Sequence, residues 1–242
     1  MLDVGTVIER SFSVYSRRFL VLTSIGCLAM IPVIVVTLFA LDSMTEPTVY
    51  WSLGVFQVMI SYIVQGAITF TAVFALHGRP TTFQDALAGG LARLFPVIGV
   101  SLLAAMAVVL GLVLFIVPGL ILGVSIAVVI PVTVLEKHSL TGSLSRSLEL
   151  TKGSRWRIFG VLLVVGLIGG MFSFLVELMF EPLATPDGIG LYVTIVVLLQ
   201  SIPTVLSAVA VAVMYEDLRV MHQLSIGETD EVVDVADTPA NT

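Results

Sequence analysis

Few side chains in this chain have the type and placement that chemistry needs. Glu177 is the only carboxylate set inside a long apolar run. An intramembrane acid is by default a candidate proton or cation site. Its place one turn before Glu181 allows a second reading, a side chain that reaches the membrane surface. Gln57, Gln65 and Gln200 are amides in other apolar runs. They either bond to a neighbouring helix or, with Glu177, line a polar path for a solute. His77, His138 and His222 lie far apart and carry no metal-ligand spacing. Cys27 is the single cysteine, which excludes an intramolecular disulfide and a cysteine metal cluster. A phosphate-cradling glycine loop, a His-Glu-x-x-His pair and a nucleophile elbow are all missing. No catalytic residue, cofactor, metal or nucleic-acid partner is expected, and the chain does not read as an enzyme.

The bases are more informative. Lys137, Arg146, Lys152, Arg155 and Arg157 crowd into one short stretch. Near a membrane surface each basic side chain attracts anionic lipid headgroups by about 1 kcal/mol. The same bases can serve to set topology alone. Glu136 ends an apolar run beside them. A carboxylate there can pair with Arg146, Arg155 or Arg157 and pin the following helix to the bundle. Asp217 and Arg219 mark the exit of the last apolar run and read as structural.

Composition names the solvent in which these residues work. Hydrophobic residues make up 57% and charged residues 12%, against about 25% charged in an ordinary soluble domain. A helical crossing needs roughly 20 apolar residues. Six runs qualify, 19–41, 49–76, 95–117, 120–135, 158–180 and 189–214, with a break expected at Pro118-Gly119 and a kink at Pro131. The first is too long for a signal-peptide core and is read as a span. Three amphipathic helices are expected at about 3–18, 81–94 and 139–153. Their apolar stripes are Val4, Ile8, Phe12, Tyr15 and Phe19; Phe83, Leu87, Leu91 and Leu94; and Leu140, Leu144 and Leu148. Such helices lie in the headgroup plane. Residues 1–222 form the membrane domain. Residues 223–242 carry Glu228, Asp230, Glu231, Asp234 and Asp237 and no base, which reads as a disordered acidic tail.

Topology follows from the charges. All 11 bases fall before the first span, between spans two and three, between four and five, or after six. The opposite loops hold only Asp42, Glu46, Glu181 and Asp187. Bases accumulate on the cytoplasmic side, so both termini are expected there. Each pair of spans follows an amphipathic helix, and Arg10-Ser11 matches Arg146-Ser147. Two readings stand: three helix-plus-hairpin units about a pseudo-threefold axis, or a chance match of amphipathic helices. Gly119 and Gly123, Gly166 and Gly170, and Gly169 and Ser173 have the spacing that lets helices approach closely. They read as packing positions inside the bundle.

The runs Phe115-Ile-Val-Pro-Gly119, Val134-Leu-Glu136 and Ser143-Leu-Ser-Arg-Ser147, then Leu150, Gly153, Trp156 and Phe159, carry a resemblance. With Tyr215-Glu-Asp-Leu-Arg219 they resemble the membrane domain fused to some glycerophosphoryl diester phosphodiesterases, and stand-alone YciC-like prokaryotic membrane proteins. The resemblance covers about residues 80–220. It implies a membrane helper without the separate catalytic barrel. The expectation is therefore an all-α polytopic protein of a prokaryotic inner membrane, with six transmembrane helices and three cytoplasmic interfacial helices. Its expected role is a non-enzymatic scaffold or accessory protein that engages anionic lipid headgroups or a protein partner. The alternative is a small transporter or channel. Oligomeric state stays open.

Overall fold

The structure, a computed structural model, describes residues 3–40, 46–76, 84, 88, 91–136, 138–185 and 187–236. Among the described residues it is all-helical. The order is α1 (Val4–Arg17), α2 (Phe19–Phe39), α3 (Pro47–Leu76), α4 (Leu94–Leu114), α5 (Ile116–Ser125), α6 (Val129–Leu135), α7 (Leu140–Leu150), α8 (Arg155–Phe180), a 3-10 turn (Glu181–Leu183) and α9 (Ile189–Ala236). Five stretches are long and apolar enough to cross a membrane: Phe19–Phe39, Phe95–Leu114, Ile116–Leu135, Arg155–Leu183 and Ile189–Leu224. α3 adds a helix of 30 residues, about 45 Å at the usual rise. The interfacial helix expected over 81–94 falls outside the described residues, apart from Gln84, Ala88 and its last turn. Arg79 and Lys137 lie outside them too.

α9 is the post around which the bundle is built. It packs on α8, α2, α3 and α1. Its middle, from Val205 through Leu218, is almost entirely buried and forms the centre of the main core. The small residues Ala208, Ala210 and Ala212 let the neighbours close in. A second cluster joins α4, α6 and α7, and a third, small one joins Met30, Val33 and Ile34 to α3 and α9.

α4 and α5 make a tight hairpin, and its turn is not at Pro118-Gly119 as expected. Phe115 alone is extended (φ −157°, ψ 134°). Pro118 sits in the first turn of α5, where its missing N–H costs no helical bond. Gly119 is needed for proximity: a Cβ there would lie 2.4 Å from the backbone nitrogen of Leu112. The next break also moves. α5 stops at Ser125 and α6 begins at Val129, so the interruption precedes Pro131, which occupies the first turn of α6.

α1 and α7, expected at the interface, seat on the bundle mainly through residues beside their apolar stripes, with Tyr15, Leu144 and Leu148 of those stripes also packed. α1 buries Val7, Ser11 and Tyr15, while Phe12 and Phe19 are exposed. α7 buries Ser143, Ser147 and Leu150, and Thr151 follows at its end. Leu144 and Leu148 are only partly buried against the second core, and Leu140 is exposed. The reason is visible at the α5–α6 break. A broken helix leaves carbonyls without partners. The Ser125 carbonyl accepts from Ser147 Oγ at 3.0 Å and from Thr151 Oγ1 at 3.1 Å. Small hydroxyl side chains fit that seat and leucines do not. The buried triplets of α1 and α7 fall in the register that aligns Arg10-Ser11 with Arg146-Ser147.

The glycine pairs divide. Gly119, Gly123 and Gly169 meet neighbours, the last against Pro203. Gly166 and Gly170 were expected to pack inside the bundle, but a Cβ on either would meet nothing within 4 Å. They lie on the lipid side of α8, the least buried of the five candidate spans. α9 continues to Ala236, into the stretch whose composition reads as a tail. Once a helix exists, each added residue gains a backbone bond without a new nucleation cost.

Candidate functional site

The chemistry-bearing side chains gather at the end of the bundle where α1, α6, α7 and the second half of α9 meet. Each element delivers its group by a local device. Asp3 caps α1, accepting from the Thr6 N–H at 3.2 Å, and so fixes the rotation that carries Arg10. Ser139 caps α7 in the same way through Gly142 N–H. Glu136 is the first residue past α6. Gly153, at φ +84°, supplies the left-handed turn between α7 and α8 that a side chain would strain.

Glu136 is the hub. Its Oε1 accepts from the Tyr215 hydroxyl at 2.8 Å. Its Oε2 accepts from Arg146 Nε at 3.1 Å and lies 3.1 Å from His138 Nε2. Arg146 also donates to Glu149 at 3.0 Å, and Glu149 is 3.5 Å from His222 Nε2. The Glu136 and Arg146 side chains are only 14% and 21% exposed. Arg10 pairs with Asp217, and Arg219 lies 4.0 Å from Glu216. The ion pairs tie α1 to α9, α6 to α7, and α7 to α9, and the Tyr215 bond ties α6 to α9.

Burial by itself pushes the Glu136 carboxyl up. The Tyr215 hydroxyl, the Arg146 charge and hydrogen bond, and His138 outweigh it, and the carboxyl lies below its ordinary value. For Arg146, burial lowers the guanidinium's affinity for its proton. Glu149 and Glu136 more than offset that. The hub is therefore an ionised carboxylate–guanidinium pair at neutral pH.

The other bases are placed differently. Lys152, Arg155 and Arg157 are exposed on the surface where α7 gives way to α8. Trp156 stands among them, 85% exposed, with its ring edge-on to Phe159. An exposed indole in a row of bases is the composition of a membrane–water boundary. Of the three bases expected as partners of Glu136, Arg146 is the one bonded to it.

The intramembrane polar residues do not converge on one cavity. Gln200 Nε2 donates to Glu177 Oε1 at 3.1 Å, so these two answer each other across α8 and α9. Gln57 lines a cleft between α2, α3 and α9. Gln65 is half-buried further along α3. No group of three or more His, Cys, Asp or Glu among the described residues could hold a metal ion. Cys27 Sγ is 3.5 Å from Ser201 Oγ.

Sequence reasoning missed Tyr215 as a Glu136 partner, the Arg10–Asp217 pair, and the Ser125–Ser147–Thr151 seat. Arg10 and Asp217 are 207 residues apart, and nothing local in either segment marks the other. The Ser143, Ser147 and Thr151 spacing was a usable signal, a polar stripe at four-residue intervals beside the leucine stripe.

The stretch that holds the hub also decides the family. The family model for the membrane domain of glycerophosphoryl diester phosphodiesterase matches residues 99–228, more than half of the 242. The chain belongs to that family. The match to this membrane domain begins within α4 and includes Glu136, Arg146, Trp156 and Tyr215, while α1, α2 and α3 lie before it. Neither the curated proteins nor the solved structures return a match.

Proposed function

We propose that this protein is a six-span, non-enzymatic membrane scaffold or accessory protein whose basic face holds anionic lipid headgroups. α2, α3, α4, α5 with α6, α8 and the apolar part of α9 are the spans. The base-rich end faces the cytoplasm of a prokaryotic cell, with both termini on that side. The carrying observation is the placement of the exposed bases around Trp156. Arg146 is committed to Glu136 and Glu149. Lys152, Arg155 and Arg157 remain exposed beside Trp156. α7 is thereby held so that the exposed bases and the indole share one boundary. The matching seats of α1 and α7, each with an arginine paired to a carboxylate at the exit of a span, support repeated helix-plus-hairpin units. A membrane protein partner would meet the same face. Transport has weaker support, because Glu177 and Gln200 satisfy each other and neither shares the Gln57 cleft.

The test is retention of lipid in nanodiscs that mix phosphatidylglycerol with phosphatidylcholine. The wild type should enrich phosphatidylglycerol, and replacing Lys152, Arg155 and Arg157 together by Gln should abolish the enrichment, since each base contributes roughly 1 kcal/mol. Equal retention of both lipids by the wild type would sink the headgroup reading. Cysteine labelling in a Cys27→Ser background tests the topology. Residue 145 should react from the cytoplasmic side and residue 185 from the other, and a reversal would overturn the orientation.

A further inference from the structure

The end of the bundle opposite Glu136 has a different construction. α2, α3 and α9 diverge there and leave a cleft of about 430 Å³, within the roughly 300–1,000 Å³ range of small-molecule sites. Its rim is set by Thr37 near the end of α2, Trp51 near the start of α3 and Tyr192 near the start of α9. These three stand at one level. Its floor is apolar: Val33, Phe56, Val196 and Val197. None of the described residues that line it is charged. Gln57 enters about 9 Å deeper than Trp51, six residues on along α3.

We infer that this cleft holds one acyl chain of a glycerophospholipid drawn from the leaflet at that end. Three observations converge on that occupant. The rim carries hydroxyl and indole groups, and the wall below it is hydrocarbon broken by one amide, Gln57. That order matches an ester-linked chain, whose carbonyls stay near the surface while the tail descends. The lack of charge suits the neutral ester region and offers nothing to a charged solute. The size is that of a small-molecule site, about 430 Å³. Water alone is a poor occupant, since a buried water needs two to four polar partners and Gln57 is the one polar side chain below the rim among the described lining residues. A crevice on the other side of α2, lined by Leu28, Ile31, Ile34 and Val35, is larger at about 670 Å³ and more open. Its hydroxyls, Ser24 and Thr194, are turned to carbonyls of their own helices, and this crevice is left to bulk lipid.

Gly54 gives a clean way in. It lines the cleft, and a Cβ there would meet nothing within 4 Å. A side chain at this position fills the space without displacing a neighbour. The chain has two tryptophans, so Trp156→Phe leaves Trp51 at the rim as the single reporter. The experiment titrates phosphatidylcholine with dibrominated acyl chains into this variant in detergent and follows Trp51 quenching. Quenching should saturate at about one lipid per protein, and Gly54→Leu should weaken it roughly tenfold. Gly166→Leu, on the lipid face of α8, should leave it unchanged. Quenching that only tracks the fraction of brominated lipid, equally with and without Gly54→Leu, overturns the site. A dibrominated free fatty acid that saturates the quenching while the phospholipid does not overturns the phospholipid assignment. If Gly54→Leu lowers the melting temperature, Gly54→Ser serves as the smaller block with the same criteria. The probe carries no net charge and acts at the end without bases, so its outcome is separate from that of the anionic-lipid test.

Discussion

The two ends of this bundle are held by different physics. At the Glu136 end, side chains from α1, α7 and α9 and the residue that ends α6 are tied by Arg10–Asp217, Arg146–Glu136 and the Tyr215 bond to Glu136. At the Thr37–Trp51–Tyr192 end, α2, α3 and α9 meet through a small apolar cluster and then part around a cleft. Apolar contact between helices has little driving force in lipid, because lipid tails are as apolar as leucine. Directional polar bonds close one end, and apolar contacts around a cleft hold α2, α3 and α9 at the other. One end of the bundle is thus tied by charge, and the other holds a cleft whose described lining is uncharged.

The contrast can be broken first at its hub. Replacing Glu136 by Ala should destabilise the protein by about 3 kcal/mol, because Arg146 loses a partly buried partner and Tyr215 loses its acceptor. A melting curve in detergent would check it, and a change within error would remove Glu136 as the lock. Gly119→Ala, in the α4–α5 hairpin, should cost about 2 kcal/mol, since the added methyl meets the Leu112 backbone. An unchanged melting temperature would show that the hairpin is looser than its glycines imply.

Acid should act on one end only. The Glu136 carboxyl lies below its ordinary value of 4.5. Its stabilisation is therefore complete above that value and fades as the pH falls below it, through the lowered native value. Between about pH 5 and pH 3 the wild type should lose more melting temperature than Glu136→Gln. Parallel losses would place the acid sensitivity elsewhere. The smallest effect is expected on the lipid face: Gly166→Leu, where a Cβ meets nothing, should change stability by less than about 0.5 kcal/mol. A large loss would mean that α8 is covered in the working protein.

Much of this arrangement can be read from the chain, and particular residues show where reading stops. Asp3 and Ser139 announce helix starts because capping is local, one side chain answering an N–H three residues on. Glu136 can be matched to the bases that follow it, Arg146, Arg155 or Arg157, because they are near in the chain, and the fold selects Arg146, ten residues on. The leucine stripe of α7 misleads for a physical reason. Periodicity reports which face avoids water, and within a membrane protein the decisive question is which face can approach another backbone. Ser143, Ser147 and Thr151 can, and the Ser125 carbonyl rewards it. Gly166 and Gly170 mislead in the opposite sense, since close approach is permitted there and no described neighbour takes it up.

The sequence by itself determined the solvent, the apolar runs, the side on which the bases collect, and the family. Those depend on composition and on contacts within a few residues. Tertiary structure alone decided the break at Phe115, the seat of α7 on Ser125, the pairing of Arg10 with Asp217 and the cleft beneath Trp51. Each of these depends on the meeting of segments far apart in the chain. Such meetings are set by the packing of whole helices, and no local pattern of residues encodes them.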